Sequence, residues 1–159
     1  MFTKCWDLLT VQEAKEQLLE MLNCSSFVSD IAYEPELDID GKPEQITFVM
    51  PEESCKKVAS AYNSDGFSCG SFEREDIAFA AIKTVILAEI DEFAEWLISP
   101  ESSKTIHGFA NKNIAYVYVN ENGKVNKYKT NQFIIRFDRD VNNISEYGFL
   151  ITSLRPIKS

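Results

Sequence analysis

The chain has 159 residues, of which 45% are hydrophobic and 26% charged, a balance typical of a soluble globular protein that excludes wholesale disorder. Its net charge of −9 is unevenly divided. Residues 1–99 hold 20 of the 25 acidic and 7 of the 16 basic residues, whereas residues 100–159 carry a net +4. We expect a single domain spanning residues 1–159, with an acidic, mainly helical part at 1–99 and a basic part of antiparallel strands at 100–159.

The sequence contains no segment of the kind that directs export or crosses a bilayer. Residues 1–7 include Asp7 and lack an apolar run of signal-peptide length. The longest hydrophobic region, residues 77–98, is interrupted by five charged side chains: Lys83, Glu89, Asp91, Glu92 and Glu95. We therefore expect a cytoplasmic protein with no membrane contact.

The cysteine spacing argues against a metal centre. Cys5, Cys24, Cys55 and Cys69 are far apart in the sequence, and the chain has a single histidine. A structural zinc site needs closely spaced cysteine pairs or several histidines. We expect free thiols, no metal site and no cofactor.

Residues 34–43 are predicted to form a loop with two prolines, one glycine and four acidic residues, namely Glu34, Glu36, Asp38 and Asp40. A calcium-binding EF-hand loop that began at Asp38 would need a ligand at its fifth position and a glycine at its sixth. Lys42 and Pro43 occupy those two positions. We interpret the segment as a solvated acidic loop.

The first predicted helix is the best marked. Thr10 and Glu13 have the spacing of a capping box, in which each side chain bonds the other residue's backbone N–H. Apolar residues then recur at helical spacing, which predicts a helix over Val11–Leu22.

Two further helices are predicted before residue 100. A short strand at residues 46–50 is followed by Pro51, which suits the first turn of a second helix. Ser71 is the candidate N-cap of a third helix, which should end at Pro100. Its length favours a break near Glu89.

Beyond residue 104 the apolar period changes from helical to strand spacing. Residues 114–119 alternate as a strand does, and Asn122-Gly123 is a strong hairpin-turn signal. Further strands are predicted at residues 124–130, 132–137 and 147–154. Helices followed by strands predict an α+β fold, with N-terminal helices packed on an antiparallel meander of four to five strands.

The acidic residues suggest a contact surface for a cationic protein. Glu89, Glu92 and Glu95 recur at helical spacing late in the third helix. Such a run can simply keep a helix solvated, but the excess of negative charge in residues 1–99 favours an anionic docking surface. The hypothetical partner-binding set comprises Glu34, Glu36, Asp38, Asp40, Glu89, Glu92 and Glu95.

A catalytic alternative centres on His107, the one histidine in the chain. Its unperturbed pKa lies near neutrality, so it could act as a general base in RNA cleavage. The candidate helpers are Thr152 as polar support and Lys127 or Arg136 as phosphate contacts. A lone histidine at a strand edge can equally be structural.

A third possibility is a nucleic-acid-binding module without catalysis. Basic residues of the predicted sheet are interleaved with Tyr116, Tyr118 and Tyr128. Aromatic rings stack on bases and cations contact phosphates, so this pattern suits single-stranded nucleic acid. An ordinary exposed sheet face has the same composition.

Two groups of residues also carry a family resemblance, which covers about residues 48–156. The first comprises Gly70-Ser-Phe72, Ala78, Ala81-Ile82, Val85 and Phe93-Ala-Glu-Trp-Leu97. The second comprises the segments at 133–140 and 147–153 followed by Pro156. They resemble the helical segment and the last two strands of the ribonuclease A-like C-terminal toxin domain of bacterial contact-dependent growth inhibition systems.

That resemblance implies RNA cleavage by a histidine placed before the helical segment, helped by polar residues of the final strand. Thr152 falls at the position of the family's strand threonine. The histidine position, near Phe48, is apolar in this chain, and Leu154 stands where an aromatic residue is common.

These observations favour a non-catalytic cytoplasmic protein of a bacterial toxin/immunity-type system, such as an immunity protein that binds a basic toxin through its acidic face. The alternative is a divergent ribonuclease that cleaves single-stranded RNA with His107 and Thr152.

Overall fold

The computed structural model describes residues 5–24, 49, 51–61, 68–142 and 145–158. A 3-10 turn at Trp6–Leu8 is followed by four helices: α1 (Val11–Leu22), α2 (Glu52–Ala61), α3 (Glu75–Ala88) and α4 (Ile90–Ile98). The strands are β1 (Ser68–Phe72), β2 (Ser103–Phe109), β3 (Ala115–Glu121), β4 (Lys124–Thr130), β5 (Gln132–Arg139) and β6 (Phe149–Ile157). Among the described residues, no helix combines the length and the apolar character needed to cross a bilayer.

The strands form two antiparallel three-stranded sheets, with orders β1-β3-β4 and β2-β5-β6. The predicted α+β class is confirmed. The arrangement of strands is more complex than the predicted meander, because β2 pairs with β5 although β3 follows it in the chain. β1 was not predicted at all, since it lies between two helices and its sequence, Ser-Cys-Gly-Ser-Phe, lacks a run of β-branched residues.

The main core lies between helices α1, α3 and α4 and the inner face of the β2-β5-β6 sheet. The Phe93 ring makes edge contacts with Phe137 and Phe149, at centroid distances of 4.9 and 5.4 Å. Trp6 is also buried, and its indole Nε1 donates a hydrogen bond to the carbonyl of Tyr147 over 2.6 Å. This contact joins the start of the described chain to the segment that leads into β6.

A second, smaller apolar group joins α2 to the β1-β3-β4 sheet. It consists of the buried side chains of Cys55, Ala59 and Tyr118, with Cys69 and others packed around them, and we refer to it as the α2 cluster. Two hydrogen bonds at the edge of the α2 cluster also join α2 to β3: the Tyr118 hydroxyl donates to the Glu52 carboxylate, and the Asn120 amide donates to the carbonyl of Ala59. α2 therefore packs on its sheet without entering the main core.

The two strongest local sequence signals are confirmed. The Thr10 hydroxyl accepts from the Glu13 N–H and the Glu13 carboxylate accepts from the Thr10 N–H, each over 3.1 Å, and α1 spans Val11–Leu22. Asn122 and Gly123 have φ values of 54° and 82°, the left-handed conformation that a tight hairpin between β3 and β4 requires.

The prediction for the start of the third helix is wrong in one respect. Ser71 lies inside β1, and the N-cap of α3 is Arg74, whose side chain makes no capping bond. The predicted break near Glu89 is confirmed, because α3 ends at Ala88 and α4 begins at Ile90. The predicted strand at residues 46–50 and the acidic loop at 34–43 lie outside the described residues, apart from Val49.

Candidate functional site

A surface pocket of about 520 Å³ lies where the end of α4 meets the start of β2. Three carboxylates line it, from Glu92, Glu95 and Glu101, together with the Lys104 ammonium. The remaining lining residues are Trp96, Ser99, Ser103 and Thr105. The pocket is therefore acidic, open to solvent and bordered by one aromatic ring.

Helical spacing explains why Glu92 and Glu95 face this pocket. α4 buries Phe93, Ala94, Trp96 and Leu97 against the main core, which leaves the intervening glutamates on the exposed side. Two like charges one turn apart repel each other mildly in water and form a stronger local negative potential together.

Arg139 of β5 fixes the segment that brings Glu101 to the same pocket. Its guanidinium donates hydrogen bonds to the carbonyls of Leu97 at 2.6 Å and Glu101 at 3.2 Å, and also to those of Trp96 and Ser99. It also lies over the Trp96 ring, 4.8 Å from the centroid. Burial lowers the pKa of this guanidinium below its ordinary value. Arg139 thus bonds to the carbonyls at the end of α4 and holds the following segment, which includes Glu101, in place.

Glu89 lies at the N-cap of α4, half-buried and outside the lining of the pocket. The neighbouring Asp91 forms an ion pair of 2.9 Å with Lys15 of α1. Of the seven predicted partner-binding residues, the structure therefore gathers Glu92 and Glu95, and the loop residues Glu34, Glu36, Asp38 and Asp40 lie outside the described residues.

His107 is exposed on the outer face of the β2-β5-β6 sheet, on the side opposite the main core. Its Nε2 lies 3.0 Å from the Gln132 amide oxygen, and its ring stacks on Phe109 with centroids 4.4 Å apart. The strand register pairs His107 with Ile134 and Thr105 with Arg136. His107 and Arg136 are therefore diagonal neighbours on one sheet face.

Thr152 and Arg136 both bond to the carboxylate of Asp138 on that same face. The Thr152 hydroxyl donates to one oxygen of Asp138, and the Arg136 guanidinium forms an ion pair of 3.1 Å with it. Thr152 is the extra residue of a β-bulge in β6, opposite the step from Arg136 to Phe137, and its hydroxyl lies on the outer face. The Thr152 hydroxyl therefore donates its proton to the Asp138 carboxylate in a hydrogen bond.

Lys127 lies on the other sheet, in β4, and does not join this group. Its ammonium bonds to the Glu52 carboxylate of α2 and lies 5.0 Å from the centroid of the Tyr116 ring. This contact raises the pKa of Lys127 above 10.5, and the same hydrogen bond is the main cause that lowers the pKa of Glu52 below 4.5. The four residues of the predicted catalytic set are therefore divided between two sheets.

Sequence reasoning missed Glu101 and the structural roles of Trp96 and Arg139. Glu101 directly follows Ser99-Pro100, where the sequence predicts the end of the helix. Nothing in the sequence indicated that Glu101 lines the same pocket as Glu95. Its position depends on bonds to a residue 38 positions later. Within the described part of the chain, histidine, cysteine and carboxylate side chains form no group of three or more that could hold a metal ion.

No protein-family model and no curated protein matches the sequence. The fold is similar to that of a chain in the crystal structure of a CdiA-CT/CdiI complex from Y. kristensenii 33638, with a TM-score of 0.57 and 19% sequence identity. The similarity covers 69% of this chain and 94% of the other. At this level of identity, the likeness shows that the two chains share a fold.

Proposed function

We propose that this chain is a non-catalytic cytoplasmic binding protein of a bacterial toxin/immunity-type system, and that it binds a basic toxin domain through the acidic pocket beside α4. The observation that carries the proposal is the gathering of Glu92, Glu95 and Glu101 around one open pocket. Lysine or arginine side chains of a partner would find three exposed carboxylates there.

The fold adds support of a different kind. The similar chain comes from a CdiA-CT/CdiI complex, in which two proteins are bound to each other. A shared fold does not carry a partner from one protein to another, so the identity of the toxin has to come from a binding experiment.

The placement of the candidate catalytic side chains favours binding over turnover. A general base must reach the proton it removes, and a cation must reach the phosphate. Lys127 is on the other sheet, bonded to Glu52, and the Thr152 hydroxyl is bonded to Asp138. His107 is therefore left with Arg136 as its one neighbour from the predicted set, and that guanidinium already has an anionic partner.

The test uses candidate basic nuclease domains encoded beside the gene of this chain. We expect a complex with micromolar or tighter affinity by calorimetry, and loss of the toxin's RNA cleavage when this chain is added. The double substitution Glu92→Lys/Glu95→Lys should weaken the complex by about tenfold or more, because it replaces attraction with like-charge repulsion.

The matched control is Glu16→Lys/Glu20→Lys, which changes the net charge equally on the exposed side of α1. It should leave the affinity within about threefold of the unmodified chain, since these residues do not line the pocket. The proposal fails if no complex forms at micromolar concentration, or if both double variants weaken binding equally.

A divergent ribonuclease is the second candidate, because His107 and Arg136 share the solvent-facing side of one sheet. In that case the unmodified chain should cleave a labelled single-stranded RNA, and His107→Ala should abolish cleavage while the circular dichroism spectrum stays unchanged. Equal activity in the two proteins, or none in either, removes this candidate.

A further inference from the structure

Two cysteines from different elements meet in the α2 cluster. Cys55 is fully buried on α2, and Cys69 is partly exposed on β1. The register places Cys69 opposite Tyr118, so both side chains lie on the sheet face that α2 covers. Cys5 and Cys24, by contrast, are exposed.

The two thiols interact directly. They share a hydrogen bond, which lowers the pKa of Cys69 and, together with burial, raises the pKa of Cys55. The more exposed sulfur is therefore the one that more readily becomes the thiolate, and the thiolate is the nucleophile in thiol–disulfide exchange. The buried sulfur is in position to complete the exchange.

We propose that Cys55 and Cys69 form an intramolecular disulfide by exchange with a small-molecule disulfide such as oxidised glutathione. The Cys69 thiolate attacks one sulfur of glutathione disulfide, forming a mixed disulfide and releasing one glutathione. The Cys55 sulfur, after losing its proton, then attacks the Cys69 sulfur and releases the second glutathione. The two protein thiols lose two electrons and two protons, and both are taken up by the glutathione produced.

The cross-link would tie α2 to β1. It closes residues 55–69 into a loop, and restricting a loop of this length in the unfolded chain stabilises the folded state. We therefore expect a rise in Tm of about 5–10 °C on oxidation.

The experiment uses a Cys5→Ser/Cys24→Ser variant, which keeps the pair and removes the two exposed thiols. The folded protein is equilibrated in glutathione buffers of increasing oxidised fraction, alkylated after denaturation and weighed by mass spectrometry. We expect both remaining thiols to disappear together, with a mass loss of two hydrogen atoms and the rise in Tm. Peptide mapping of the unmodified chain should give the same Cys55–Cys69 cross-linked peptide.

The matched control adds Cys55→Ser to this variant, which leaves Cys69 without a partner. It should accumulate a glutathione adduct on Cys69 and show no rise in Tm. The proposal is overturned if the variant with both cysteines keeps two alkylatable thiols in oxidised glutathione alone. A stable adduct on Cys69 with Cys55 still reduced, or a covalent dimer in place of the internal link, would overturn it equally.

Discussion

Arg139 shows how one side chain can organise a surface. Two of its four bonds reach carbonyls in the last turn of α4, where a helix leaves carbonyls without intrahelical partners, and the other two reach carbonyls in the segment beyond it. A cation at a helix C-terminus is also favoured by the helix dipole. The sequence showed a basic residue between Asp138 and Asp140, where a local ion-pair cluster would be the ordinary interpretation.

Replacing Arg139 with methionine should therefore destabilise the fold. We expect a loss of about 2–4 kcal/mol in the free energy of unfolding, measured by urea denaturation, because four carbonyls at and beyond the end of α4 lose a charged donor. Methionine retains much of the aliphatic length of the side chain but lacks the guanidinium that lies over the Trp96 ring.

Arg74→Met is the control for the loss of an arginine charge. Arg74 pairs with Asp76 at an exposed position, where both side chains are about 70% accessible. An exposed pair contributes little, so the free energy of unfolding should change by no more than about 0.5 kcal/mol. Equal losses in the two variants would show that the Arg139 contacts do not stabilise the end of α4.

At the scale of elements, the sequence predicted correctly those features that depend on residues close together in the chain. The capping box located α1, and Asn122-Gly123 located the β3–β4 hairpin, because each depends on residues within a few positions. β1 and the pairing of β2 with β5 were missed, since both depend on partners 23 or more residues away. Helical periodicity predicted that Glu92 and Glu95 lie on one side of α4. The position of Glu101 in the same pocket could not be predicted, because it depends on the hydrogen bonds of Arg139.

The contact between α2 and β4 makes stability depend on pH through one ion pair. The hydrogen bond from Lys127 lowers the pKa of Glu52, so its contribution is present above 4.5 and is lost as the pH falls through the lowered value. The same bond raises the pKa of Lys127, so that contribution is present below 10.5 and is lost as the pH rises through the raised value.

We therefore expect Glu52→Gln to destabilise the protein most between pH 4.5 and 10.5, with the difference from the unmodified chain shrinking on either side. Urea denaturation over a pH series measures this. In a Lys127→Met background, Glu52→Gln should have a smaller effect at pH 7. A difference that is constant across the whole pH series would contradict the assignment.

For the whole molecule, some of the opposite charges of the acidic and basic parts pair with each other in the fold, and other charges stay exposed at the surface. Lys127 of the basic part bonds to Glu52 of the acidic part, whereas Lys158 pairs with Glu121 within the basic part, over 3.4 Å. Glu92 and Glu95 are exposed instead at the acidic pocket. Unpaired surface charge acts mainly on the rate of encounter with a charged partner.

If the proposed partner is a basic toxin domain, its association rate should therefore fall by about tenfold or more between 50 and 500 mM salt, as screening shortens the range of the field. Stopped-flow mixing measures this rate. The dissociation rate should change much less over the same range. An association rate that is independent of salt would mean that the acidic surface does not guide the encounter.

The separation of the α2 cluster from the main core has a consequence for motion. α2 is held by a few side chains around Cys55, Ala59 and Tyr118, whereas β5 and β6 share the large aromatic core. Backbone amides protected by few apolar contacts exchange their hydrogens through partial opening, without global unfolding. Deuterium should therefore enter α2 long before it enters β5, because α2 can separate from its sheet while the aromatic core stays folded.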